Sequence, residues 1–279
     1  MRTQWIHAAI AAAMATVLVV FPAYGHAVVS PPAKGQFDYQ LGGAYSPQKS
    51  VSIVVRDRLA PPVKDKYNIC YVNTFQTQPD DADWWTSRYP TLLVRKDGKF
   101  VTDKQWNEYL FDTSTEAKRL ALMEIVGPWF DKCSADGFKG IDADNLDSWT
   151  RSQGVLSEAN NVAFAKMLVK RAHAANLAIA QKNTPSLATK GPSQIGFDFA
   201  IVEECEVWKE CSVFTDTYRD QVYEIEYNDN VKDANGNAVD PISFFNAACA
   251  ARGSRISVIY RDRQLVPSNS PGYEYRRCK

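Results

Sequence analysis

The stretch "GFKGIDADNLDSW", Gly137 to Trp149, runs a short apolar segment straight into Asp142, Asp144, Asn145 and Asp147. Carboxylates packed this closely repel one another and resist desolvation, so their placement needs a reason. Two kinds of chemistry use such groups: paired-carboxylate acid–base or nucleophilic catalysis, and ligation of a hard cation by oxygen. Counted from Asp142, the stretch lacks the sixth-position glycine and twelfth-position glutamate of a calcium-binding loop, and "DANGNAVD" (233–240) reads as a surface turn before a helix. Neither points to calcium, and no metal or cofactor is expected. A second acidic pair, Glu203 and Glu204, closes the run "FDFAIVEE". Histidine narrows the choice further. Of three, His7 and His26 lie in the N-terminal leader, and His173, within "KRAHAAN", is expected on a solvated helix face. A Ser-His-Asp triad or a histidine-held zinc therefore has little to draw on. Acid–base work falls to carboxylates, helped by Tyr or Lys.

One acid after a strand is ordinarily a cap or turn residue. Here the pattern repeats. Eight β-rich runs can be read: 37–41, 51–57, 67–73, 140–144, 177–183, 197–203, 222–228 and 255–261. They exit at Tyr39 and Gln40, Asp57, Tyr71 and Asn73, Asp142 and Asp144, Gln181 to Asn183, Glu203 and Glu204, Glu226 and Tyr227, and Arg261 and Asp262. Helical patterns fill the longer gaps. One opens on Thr113 with Glu116 as a capping box, one on Ser157 with an apolar face through Val162, Phe164, Met167 and Leu168, and one on Asp240 and Pro241, ending at Gly253. Alternating strands and helices predict an α/β fold, a (β/α)8 TIM-type barrel, whose functional groups gather at the C-terminal strand ends. The connections 42–50 and 58–66 are too short and proline-rich for full helices, which predicts irregular first and second βα units; a doubly wound open sheet is the alternative. Residues 74–112, with Trp84, Trp85 and Trp106, form a long insertion.

The 279-residue chain opens with Arg2, an apolar run from Ala8 to Phe21 and small residues, the pattern of a secretory signal peptide over 1–27. Residues 28–279 are enough for one domain, expected to be secreted and monomeric. With 32 basic and 32 acidic residues the charge is balanced, which argues against nucleic-acid and membrane partners. All six cysteines follow the leader, so disulfides are expected. Cys205 and Cys211 can close a small loop. Alternation turns Cys70 away from Tyr71 and Asn73, where it could meet Cys133, and leaves Cys249 and Cys278.

The blocks "FDYQLGG", "YNICYVNTFQTQP", "GIDADNLDSW", "AQKN", "DFAIVEECEVWKEC" and "YEIEYN" together resemble glycoside hydrolase family 114, the endo-α-1,4-polygalactosaminidases, over most of the chain after the leader. The resemblance implies a barrel that hydrolyses a galactosamine-rich, cationic polysaccharide. It implies Asp142, opening the Asp-x-Asp-Asn-x-Asp block, and Glu203, shortly before Cys205, as the catalytic acids. Glu204 is the alternative to Glu203; strand alternation favours Glu203, which shares a face with Phe199 and Ile201. On this reading Asp142 attacks the anomeric carbon or positions water, and Glu203 protonates the leaving oxygen with a pKa raised by burial or by neighbours such as Glu204 and Glu226. Tyr39, Asp57, Tyr71, Asp144, Asn145, Asp147, Lys182, Glu226 and Tyr227 are candidate substrate contacts, and Trp149 a stacking face. Two other classes compete: a carbohydrate-binding barrel without turnover, and a metal-dependent polysaccharide deacetylase, which the histidine shortage disfavours.

Overall fold

The computed structural model describes residues 28–278; the expected leader over 1–27 lies outside the described residues. Eight parallel strands follow one another around a single sheet: β1 Phe37–Gln40, β2 Ile53–Asp57, β3 Tyr67–Asn73, β4 Gly140–Asp144, β5 Ala178–Lys182, β6 Phe199–Glu203, β7 Val222–Tyr227 and β8 Ser257–Arg261. A short strand, β9 (Tyr275–Arg277), pairs antiparallel with β8. Spatial order equals chain order, with no reversal point, so the barrel expectation stands and the doubly wound sheet does not.

Each strand turns its odd- or even-numbered side chains into the barrel. Phe37, Ile53, Ile69, Ala178, Phe199, Ile201, Tyr223, Ile225 and Ile259 fill that interior. The opposite faces, including Cys70, Val72, Ile141, Ala143, Ile179, Val202 and Val258, pack beneath the helices. Both faces are buried, which is why the strand segments are rich in apolar residues and carry polar groups chiefly at their C-terminal ends.

No backbone ladder joins β1 to β8 among the described residues; side chains bridge that seam. The Ser257 hydroxyl donates to the Gly35 carbonyl at 2.6 Å and the Tyr275 hydroxyl to the Phe37 carbonyl at 2.9 Å. Arg261 is fully buried and donates to Asp38 Oδ1 at 3.0 Å and to the Tyr39 carbonyl. An arginine read from the sequence as a rim group is thus a closing strut.

The first two connections carry no helix, as their length and prolines predicted. The insertion holds α1 (Ala82–Arg88) and two short hairpins, 95–100 and 102–109. The main outer helices are α2 (Glu116–Asp136), α3 (Glu158–Ala174), α5 (Cys211–Tyr218) and α6 (Ile242–Arg252), with a single turn, α4, over Cys205–Trp208. Ser157 caps α3 in a box with Asn160. The cap of α2 lies two residues later than expected. Thr115 accepts from the Lys118 amide, because the Thr113 hydroxyl is buried and donates to Asn161 of α3 at 2.6 Å. At α6 the Asp240 carboxylate accepts from the Ile242 amide, but Pro241 stands before the helix rather than inside it. His173 is half-buried rather than solvated: Asp198 bonds its ring at 2.9 Å and raises its pKa. All three cysteine pairs are formed: Cys70–Cys133, Cys205–Cys211 and Cys249–Cys278.

Candidate active site

A cavity of about 500 Å³ opens at the C-terminal ends of the strands. Sharp turns produce it. Asn145 after β4, Asn183 and Thr184 after β5, and Glu204 after β6 all have positive φ, at 63°, 47°, 64° and 60°. The chain therefore swings away immediately after Asp144, Lys182 and Glu203, leaving these last inward side chains at the cavity floor. Asn tolerates this backbone well; Glu204 and Thr184 do so at a cost of about 1 kcal/mol each. On β1's side, Gly42 lies so close to the Gln264–Leu265 backbone that a Cβ there would meet the Gln264 carbonyl at 2.2 Å.

Lys182 is the hub. Its side chain is 2% exposed, and its ammonium lies 3.3 Å from Asp144 Oδ1, 3.2 Å from Glu203 Oε2 and 3.9 Å from Asp142 Oδ2, and donates to the Tyr39 hydroxyl at 3.0 Å. Burial disfavours its charge, but the three carboxylates outweigh burial and raise its pKa well above the usual lysine value.

The two β4 aspartates differ in depth. Asp142 is fully buried and takes no part in lining the cavity. One oxygen accepts from Tyr39 at 2.7 Å and the other has no donor among the described residues. Burial, opposed by Lys182, pushes this carboxyl up to about 6. Asp144 lines the cavity with its side chain 21% exposed. Its oxygens accept from the Tyr71 hydroxyl at 2.8 Å and the Asn145 amide at 2.7 Å. Burial works against its ionisation, yet Lys182 and these two donors hold it below the usual carboxylate range.

Glu203 faces Asp144 across Lys182, accepting from the Tyr227 hydroxyl and, at 3.3 Å, from Asn183 Nδ2. Its own amide donates to Asn183 Oδ1 at 2.8 Å, which fixes the strand end. Glu204 turns the other way and pairs with Arg263, whose guanidinium lies 4.0 Å from the centre of the Tyr227 ring.

The family model of glycoside-hydrolase family GH114 matches residues 21–279. The chain belongs to this family. GH114 membership makes it a glycoside hydrolase. Among solved structures, it is similar to Ega3 of Aspergillus fumigatus, in complex with galactosamine, at 22% identity and a TM-score of 0.69, covering 91% of this chain and all of that one. It is also similar to the glycoside hydrolase domain of PelA from Pseudomonas aeruginosa at 14% identity and a TM-score of 0.58, covering 84% of this chain and 96% of that one. No curated protein sequence matches.

Of the residues singled out in this GH114 chain, Tyr39, Asp57, Tyr71, Asp144, Asn145, Asp147, Lys182, Glu203, Glu204 and Tyr227 meet at the cavity. Two do not. Asp142 lies beneath it. Glu226 points outward, because β7 turns its odd-numbered residues inward. It is buried behind the sheet, where it accepts from the Glu206 amide at 2.9 Å, and burial with nearby Glu224 pushes its carboxyl up to about 9. It is therefore neither a substrate contact nor a neighbour of Glu203 within the cavity. Trp149 is half-buried, packs against the apolar cluster around Val94 and Leu110, and does not line the cavity. The insertion instead brings Gln78, Asp103, Gln105, Trp106 and Glu108 to the wall, and Arg151 and Arg263 join them. Their sequence signal was compositional only: "DKQWNE" (103–108) mixes acids with an aromatic, 45% exposed here.

Proposed function

We propose that this GH114 hydrolase is exported and cleaves α-1,4-linked galactosamine-rich polysaccharide, with Asp144 as nucleophile and Glu203 as general acid and then general base. The observation that carries the reading is the arrangement of two cavity-facing carboxylates on one buried ammonium. Asp144 Oδ1 and Glu203 Oε2 share Lys182 Nζ at 3.3 and 3.2 Å, so they can lie no farther apart than those contacts laid end to end. That favours the short separation of retaining enzymes, about 5–5.5 Å, over the about 6.5–9.5 Å of inverting ones.

Asp144, held ionised by Lys182 and Tyr71, attacks the anomeric carbon while Glu203 gives its proton to the leaving oxygen. Glu203 then takes a proton from the water that releases the sugar from Asp144. The attacking role expected of Asp142 passes to Asp144, because a carboxylate with no access to the cavity cannot reach an anomeric carbon. Asp142 instead fixes Tyr39 and Lys182 from below. The excess of acids over bases on the cavity wall suits a cationic polymer, and the galactosamine bound to the similar Ega3 structure supports this substrate class. Export is supported by the leader-like 1–27 segment and by the pairing of all six cysteines.

The test is to incubate the purified protein with de-N-acetylated α-1,4-galactosamine polymer and follow the release of oligosaccharides. The wild type is expected to release them. Sugar affinity without release would instead support a binding barrel.

A further inference from the structure

The charges around the cavity do not balance, and the imbalance has an address. The wall carries seven acidic side chains and three basic ones. Lys182 serves Asp144 and Glu203, Arg151 serves Asp103 and Asp147, and Arg263 serves Glu204. Among the described residues two acids remain without a cationic partner, Asp57 and Glu108. Asp57 has both oxygens occupied, one by the Leu59 amide and one by Gln78 Nε2, each at 2.8 Å.

Glu108 is different. It is only 8% exposed, yet it lines the cavity from the insertion. One oxygen, Oε2, accepts from Gln76 at 2.8 Å, Asn73 at 2.9 Å and Asn145 at 3.3 Å, all of them neutral side-chain amides. The other, Oε1, has no protein partner among the described residues. Three amides from two segments, 73–76 and the turn at Asn145, thus fix one edge of a carboxylate and leave its other edge free. Asn145 directly follows Asp144, which brings this carboxylate near the nucleophile proposed above. Burying a carboxylate without a counter-charge is costly, and the cost is removed when a cation arrives.

We propose that Glu108 is the specificity residue that receives a sugar ammonium next to the cleavage point, so that the enzyme selects galactosamine over N-acetylgalactosamine by charge. This rests on the galactosamine reading above and deepens it. An N-acetyl group presents a neutral amide and more bulk to the same edge, so it gains nothing from the uncompensated charge.

The carboxyl's own titration agrees. Burial, together with Asp144 and Asp103 and against the Gln76 and Asn73 donors, pushes it up to about 7. The charged and titratable groups facing it are Asp103 on the same hairpin, Asp144 on β4, Tyr71 on β3 and Arg151 on the turn after β4, which holds Asp103 at 2.9 Å. Preference for the amine should therefore fall as pH drops through about 7, where Glu108 takes up a proton.

The experiment measures dissociation constants for a short α-1,4-galactosamine oligomer and for its fully N-acetylated form, in the Glu203→Gln background that leaves both intact. Adding Glu108→Gln, which keeps the size and an acceptor for the amides, should weaken the amine oligomer by about 10- to 100-fold and change the acetylated one by less than about threefold. An unchanged amine-to-acetyl ratio overturns the proposal. Should Glu108→Gln fail to fold, the same ratio measured from about pH 7 to pH 5, where the sugar amine stays protonated, decides with Glu108 intact: a fall across that range supports the assignment and a flat ratio overturns it. A protein that leaves galactosamine polymer uncut instead overturns the functional reading, so the two failures are distinct.

Discussion

At the scale of single residues the site depends on depth as much as on identity. Asp142 and Asp144 share the inward face of β4 and differ by one step of about 6.6 Å along the strand. That step separates a buried carboxyl with one undonated oxygen from an ionised one at the cavity floor. Replacing Glu203 by Gln should lower turnover of galactosamine polymer by about 10²–10⁴-fold, the usual contribution of a positioned acid. Asp144→Asn should cost at least as much, and Glu204→Gln less than tenfold, since Glu204 faces Arg263; initial rates of oligosaccharide release check all three. Lys182→Met should slow turnover and move the acidic limb of its pH profile upward, because Asp144 loses the charge that keeps its pKa down. A slower variant with an unmoved limb would show that Lys182 acts by packing alone. The sequence disclosed the faces of Glu203 and Glu204, through alternation around Ile201 and Phe199. It did not disclose how far along the barrel axis each one lies, because that depends on where neighbouring strands end.

Elements set which polar groups reach the cavity. Glu226 ends a strand as polar as any other, but β7 turns its even-numbered side chains toward the helices, where Arg252 grips Glu224 and Glu206. Its carboxyl stands at about 9 in the folded protein against an ordinary 4.5. A raised carboxyl contributes stability below its unfolded value and loses that contribution as pH rises toward the folded one. Glu226→Gln should therefore flatten the fall in stability between about pH 5 and 9, stabilising the protein relative to wild type at the alkaline end and leaving activity within about twofold. Thermal melts across that range, beside rate assays, check both parts; a steeper decline or a large loss of rate would return Glu226 to the site. The insertion shows the opposite limit of legibility. Length and composition marked it as an extra element, yet nothing local in 74–112 reveals that Glu108 folds onto Asn73 and Asn145, because those contacts are made between segments distant in the chain.

Across the whole molecule, eight strand segments, the helix-free start and the Cys205–Cys211 loop were legible because each leaves a local mark: apolar runs, prolines in short connections, close cysteine spacing; Cys249–Cys278 was reached only as the pair left over. The means of closure was not, because β1 and β8 are joined by side chains such as Arg261 and Ser257 rather than by a ladder. The C-terminal strand supports that seam and is tied to α6 by Cys249–Cys278, a crosslink spanning 29 residues. Removing it with a Cys249→Ala, Cys278→Ala double variant should cost about 3–4 kcal/mol by loop entropy, read as a lower denaturation midpoint, and loosen the barrel at its seam. Whether Asp144 attacks and Glu203 assists across Lys182 can be read by mass spectrometry of the Glu203→Gln protein incubated with α-galactosaminyl fluoride. Its fluoride leaves without an acid, while release of the sugar is slowed by loss of the base. The expected result is one galactosaminyl residue attached to the carboxylate of Asp144. Attachment to Asp142, or turnover of the fluoride with no covalent intermediate, would contradict it.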